Sequence, residues 1–184
     1  DEPTTALDVT IQKQILDLLS ALQRDTGMGI LLITHDLGVV ASMAHRVALM
    51  YAGQIVEEGP AEAFFQSPRH PYAHLLLRAL PESGRPGETL ASIEGTVPSL
   101  HWRFKGCRFA PRCPVATARC KDTLPPWQPA APGAGMVLSG TGTHRVRCHE
   151  PVGGQGDAGV EVPRQGLQDE QRGGQETKPP VIQS

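Results

Sequence analysis

Residues 1–8 read DEPTTALD and residues 33–36 read ITHD, and the chain between them decides what fold can be built. The first stretch sets two carboxylates, Asp1 and Glu2, beside a proline and two threonines, with a further carboxylate at Asp8. In a phosphate-hydrolysing site, one carboxylate at a strand end helps to hold Mg2+, usually through its water. A second carboxylate next to it can orient or deprotonate the attacking water. Asp1 and Glu2 have the types and order for those roles, but adjacent acids are common on solvated surfaces, so the dipeptide alone decides nothing.

The residues that follow supply a context. Residues 9–26, VTIQKQILDLLSALQRDT, place Ile11, Ile15, Leu18, Leu19 and Leu22 at helical spacing, and Gly27 offers a stop. Residues 29–34, GILLIT, form a short branched apolar run that predicts a buried strand. Residues 35–44 resume a helical pattern, with Asp36 able to cap its N-terminus. RVALMY (46–51) and QIVEEG (54–59) flank Ala52-Gly53, which predicts a hairpin with a two-residue turn. PAEAFFQSP (60–68) and HPYAHLLLRALP (70–81) predict two short helices closed by proline. In the second of these, Tyr72, Leu75, Leu76, Ala79 and Leu80 form an apolar face suited to packing. The element order is an α/β pattern that opens partway through a domain.

Composition bounds the rest. The net charge of −2 over 184 residues gives no bulk argument for nucleic-acid binding. The apolar runs are far shorter than the roughly 20 residues of a membrane span. The 17 prolines and 20 glycines concentrate in the second half. Four segments follow: an α/β part at 1–80, a linker at 81–91, a small Cys-containing irregular module at 92–150, and a Gly- and Gln-rich tail at 151–184 expected to be disordered.

DEPTTALD, a helix, a buried strand and then THD together resemble the ATPase subunits of ABC transporters, a P-loop NTPase fold. The resemblance implies that Asp1 serves Mg2+, Glu2 is the catalytic base, Asp8 touches a partner subunit from the D-loop, and His35 is the switch histidine at the γ-phosphate of ATP. The geometry expected of parallel strands joined by a helix agrees, because their C-terminal ends share the sheet edge where ligands bind. DEPTTALDVTIQKQIL, ITHDLGVVA, VALMYAGQIVEEGP, HPYAHLLLRALP and IEGTVPSL look more narrowly like the oligopeptide/dipeptide importer branch, with nickel importers close by. That likeness covers about residues 1–150. It implies a peripheral subunit on the cytoplasmic face of the inner membrane. The implied partners are a second ATPase subunit, making a heterodimer, two transmembrane permease subunits and an extracytoplasmic peptide-binding protein.

No G-x-x-x-x-G-K-[ST] stretch occurs, and none of Lys13, Lys105, Lys121 and Lys178 follows such a glycine loop. VGGQG (152–156) and RGGQE (172–176) imitate part of a nucleotide motif but sit in the polar tail. The chain therefore reads as the back portion of a longer protein, expected to be inactive toward ATP by itself. The rival reading is a non-catalytic metal-binding or interaction remnant.

Cys107, Cys113, Cys120 and Cys148, spaced C-x5-C-x6-C-x27-C, all fall in the hydrophobe-poor module. So small a core invites a cross-link or a metal. Disulfides are disfavoured in a reducing compartment, zinc usually takes closer paired cysteines, and a [4Fe–4S] cluster accepts four thiolates at varied spacing. All three remain open on the residues; the family resemblance implies the cluster, with Zn2+ as the alternative. His144 and His149 flank Cys148 and read as surface residues. Arg103, Lys105, Arg108, Arg112, Arg119 and Lys121, with no acid among residues 101–121, read as a solvated face that offsets thiolate charge. Contact with anionic headgroups is the sharper alternative.

Overall fold

A computed structural model of the chain describes residues 1–3, 7–80, 92–99, 101, 103–130 and 143–153. The linker expected at 81–91 and the tail from residue 154 onward lie outside the described residues. The elements run α1 (Val9–Thr26), α2 (Leu37–Met43), β1 (Arg46–Tyr51), β2 (Gln54–Pro60), α3 (Ala61–Gln66), α4 (Pro71–Arg78), a 3-10 turn at Ala110–Arg112, α5 (Ala118–Asp122), β3 (Gln128–Pro129) and β4 (Arg145–Val146).

Helix α1 has the bounds its spacing dictates. Asp8 caps it by accepting the Thr10 N–H at 2.8 Å, and Gly27 ends it in the left-handed region at φ 66°. It nonetheless contributes no buried residue, and Ile11, Leu18 and Leu22 stay exposed. The expected strand at 29–34 is absent: the segment enters no ladder, and Leu31 is 88% exposed. An apolar run becomes a strand only when a neighbour completes its hydrogen bonds, and here the Ile33 carbonyl receives the Glu2 amide at 2.7 Å. The parallel strands assumed from the sequence are likewise not found among the described residues, where every pairing is antiparallel.

The sheet has the order β1-β2-β4-β3. Its hairpin turns through Ala52 (φ 46°) and Gly53 (φ 76°), both left-handed, as a two-residue turn matched to strand twist requires. Strand β1 alternates strictly, sending Val47, Leu49 and Tyr51 inward. Strand β2 does not. The register shifts between Leu49↔Glu57 and Met50↔Ile55, leaving Val56 as an extra residue. This bulge buries the consecutive residues Val56 and Glu57 together.

The core joins the two sides of the expected linker. Val47, Leu49, Tyr51, Val56, Phe64, Phe65, Ala73 and Leu77 pack with Phe109, which comes from the cysteine-bearing segment and is fully buried. The Phe109 ring meets Tyr51 edge-on at 5.1 Å and Tyr72 at 5.3 Å. Arg108 donates to the Ala52 carbonyl, and Arg112 donates to the carbonyls of Ile93 and Glu94 and to the Tyr51 hydroxyl. These two arginines of the basic stretch thus secure the module to the hairpin. Strand β4 adds to the edge of β2, pairing Val146 with Glu57 and Arg145 with Glu58.

Phe109→Ala removes a buried ring from this shared core and is expected to cost about 3–5 kcal/mol. Urea denaturation followed by near-ultraviolet circular dichroism checks it; a loss under about 1 kcal/mol would mean the module does not share the core.

Candidate functional site

Two groups of chemically capable side chains emerge. The first lies where the ends of the opening stretch and the ITHD stretch meet. The Glu2 amide donates to Ile33, and His35 Nδ1 stands 2.8 Å from Glu2 Oε1. Both side chains are open to solvent, 77% for His35 and 44% for Glu2, so the pair is available to a ligand. Local structure fixes the histidine's approach. The Thr34 hydroxyl accepts the Asp36 N–H at 3.0 Å, and Asp36 Oδ1 accepts the amides of Gly38 and Val39, starting α2. Gln12 of α1 donates to the other Asp36 oxygen at 3.2 Å, tying the two helices. Asp1 is exposed at the start of this edge. Asp8, singled out for a partner contact, makes the N-cap of α1. A carboxylate held against an imidazole can take up a proton from a bound water.

The second group is interior. Cys107, Cys113, Cys120 and Cys148 all line one small recess, together with His70, His149 and Glu150. All four are free thiols. The 107–120 loop is drawn tight: the Cys107 amide donates to the Cys120 carbonyl at 2.8 Å, and the Ala110 amide donates to Cys107 at 3.1 Å. Gly106 makes this approach possible, because a Cβ there would fall 2.2 Å from the Cys120 carbonyl oxygen. Cys148 arrives from the other direction, just beyond β4, with its carbonyl accepting from the Gln128 side chain.

Burial raises the thiol pKa values of Cys107 and Cys113, and it pushes Cys148 up to about 12, with the other three thiols adding to the effect. Burial thus disfavours the thiolate forms of Cys107, Cys113 and Cys148, and a cation bound by them must displace protons. Among the described residues, no group of three or more His, Cys, Asp or Glu side chains is arranged to hold a metal ion.

The residues that position this recess were missed in the sequence. Glu57 is fully buried and accepts the amides of Arg69 (2.9 Å) and His70 (2.6 Å), while its Oε1 lies 2.7 Å from His144 Nε2. His144 is thus no surface residue, correcting the expectation: it is mostly enclosed and grips the carboxylate. His149 is half-buried, with Nε2 2.9 Å from the Thr123 carbonyl oxygen. His70 is buried as the N-cap of α4, and burial lowers its pKa to about 4. The signal that could have found it is the His-Pro pair opening a helical pattern, the position of an N-cap followed by proline at N1.

Comparison with known proteins gives similarities along much of the chain. Residues 56–120 match the family model described as the oligopeptide/dipeptide transporter, C-terminal region. The chain is 50% identical over 152 residues to a dipeptide transport ATP-binding protein of Escherichia coli (strain K12), covering 83% of this chain and 43% of that protein. It is 48% identical over 157 residues to the protein of that description from Haemophilus influenzae, covering 85% and 44%. It is also 55% identical over 132 residues to a putative peptide import ATP-binding protein of Brucella ovis, covering 68% and 39%. The resemblance read from the motifs is therefore sound, and the chain spans less than half the length of these relatives. Among the described residues no helix is long and apolar enough to cross a membrane.

With its pKa near 12, Cys148 in metal-free chain is expected to react with iodoacetamide at pH 8 at least about 100-fold more slowly than an unburied cysteine. Its rate should still be climbing above pH 10. Peptide mapping by mass spectrometry across pH reads this directly, and a plateau near pH 9 would contradict it.

Proposed function

We propose that the chain is the C-terminal part of an ATP-hydrolysing subunit that drives peptide import through a membrane permease. The observation that carries this reading is the 2.8 Å approach of His35 to Glu2, which joins the two stretches most characteristic of the resemblance. The match over residues 56–120 supports the peptide-importing branch.

In this reading Glu2 is the base that takes the proton of the attacking water. His35, hydrogen-bonded to that carboxylate, faces the γ-phosphate and holds Glu2 in line. Asp1 lies beside them and would hold Mg2+, which supplies charge neutralisation at the phosphate oxygens. Asp8 stands at the start of α1, where a second ATPase subunit would meet it. The glycine loop that cradles phosphates is not in this sequence, so other residues of the intact subunit must provide it. The working assembly comprises two such subunits, as a heterodimer, on the cytoplasmic side of two permease subunits, fed by an external peptide-binding protein.

The recess carries a second, structural component of the proposal: Cys107, Cys113, Cys120 and Cys148 hold a [4Fe–4S] cluster. The donor set fits, since four thiols of one chain line a single recess and are unpaired. When bound, the cluster contributes four iron–thiolate bonds that cross-link the 107–120 loop to the segment after β4. In this reading the role of the cluster is structural.

In the assembled transporter, Glu2→Gln is expected to lower peptide-stimulated ATP turnover by at least about 100-fold while ATP binding persists. Turnover within threefold of wild type would reject the role of Glu2. The cluster is tested separately, by iron analysis and by the broad absorbance in the blue of anaerobically purified protein. Both should vanish in Cys120→Ala, and a colourless wild type holding one zinc would reject the cluster.

A further inference from the structure

His70 lines the recess of the four cysteines and is 1% exposed. Its ring is fixed on one side: Nδ1 accepts the Tyr72 N–H at 3.1 Å, closing the N-cap of α4. A nitrogen that accepts carries no proton, so the ring is neutral and its hydrogen sits on Nε2. That buried Nε2–H has no partner among the described residues, the thiol sulfurs included. Arg69 and Arg147 also carry a buried, unpaired Nε, but neither lines the recess.

A buried donor left without an acceptor is costly, about 1–3 kcal/mol. The residue is also held in place deliberately. Glu57 accepts its backbone N–H at 2.6 Å, and the Phe109 ring lies 5.9 Å away, centroid to centroid. A rigidly placed donor that finds no acceptor in the protein points to an acceptor that the protein does not supply.

We propose that His70 donates its Nε2–H to a sulfur of the cluster bound by the four cysteines, as a positioning residue that raises the cluster's reduction potential. The proposal rests on the [4Fe–4S] reading above. Hydrogen bonds to cluster sulfurs stabilise the more negative, reduced state, which is the physical origin of the shift. No electron need be delivered in function for this to hold; the donor also stabilises the resting cluster against loss.

Two substitutions separate the ring's two nitrogens. His70→Asn keeps an acceptor near Nδ1 for the Tyr72 amide and removes the deeper donor. His70→Gln places an amide N–H near the Nε2 position and gives up the cap. Dye-mediated redox titration of the chain, anaerobically purified, gives the midpoint potential of each, with iron content measured alongside. The expected result is a more negative potential and faster iron loss under chelator for His70→Asn, with His70→Gln close to wild type. Equal potentials in all three iron-loaded proteins would overturn the proposal alone. A shift in His70→Gln with none in His70→Asn would also overturn it, assigning the residue to capping. A wild type without iron would overturn the cluster reading and this proposal with it.

Discussion

A single carboxylate organises the interior. Glu57 lies at a bulge in β2, without solvent, where an ionised side chain is tolerated only if its oxygens are filled with donors. The donors come from separate parts of the chain: the amides of Arg69 and His70, just ahead of α4, and the ring of His144, just ahead of β4. Satisfying that carboxylate therefore sets three things at once. It fixes the start of α4, presents His70 to the recess, and draws β4 onto β2, which delivers Cys148 to the other three thiols. Hydrophobic packing around Phe109 supplies the bulk of the adhesion, but packing is non-directional. The Glu57 contacts are what give the assembly its register.

The two candidate sites differ in physical character. The Glu2–His35 pair is open to water, with a side-chain contact and a backbone bond joining the two stretches. It suits a place where a polar ligand arrives and leaves. The cysteine recess is lined by two buried and two half-buried thiols, with backbone hydrogen bonds bracing its 107–120 loop, and it suits a permanent occupant. The basic stretch of residues 101–121, read as a solvated face, contains two residues with a different task. Arg108 and Arg112 spend their guanidinium donors on carbonyls of the hairpin and of the segment at 93–94, so part of the positive charge is structural.

Local signals were legible and pairwise ones were not. Helix α1, the Asp36 cap, the Ala52-Gly53 turn and the two short helices each follow from residues within a few positions of one another, and they stand as read. Residues 29–34 failed because an apolar run states that burial would be favourable without saying what provides it. Glu57 was hidden by the bulge: simple alternation from Val56 would send it to solvent, and one inserted residue reverses that. His144 was misjudged for the same reason, since its partner lies in a distant strand. The cysteines were recognised as a group from their confinement to one segment. Their convergence depends on β4, whose two residues carry too little pattern to announce a strand.

The uneven sourcing of the four thiols bears on the order in which the interior is completed. Cys107, Cys113 and Cys120 lie on one tightly drawn loop, whereas Cys148 must be carried in on a two-residue strand from far along the chain. Closing the long intervening segment carries an entropic cost that the short loop does not. The three-thiol half can thus take shape first, and the strand then zips it shut. The place of Cys148 beside the other three thiols therefore depends on a seam of only two paired residues, Glu57↔Val146 and Glu58↔Arg145.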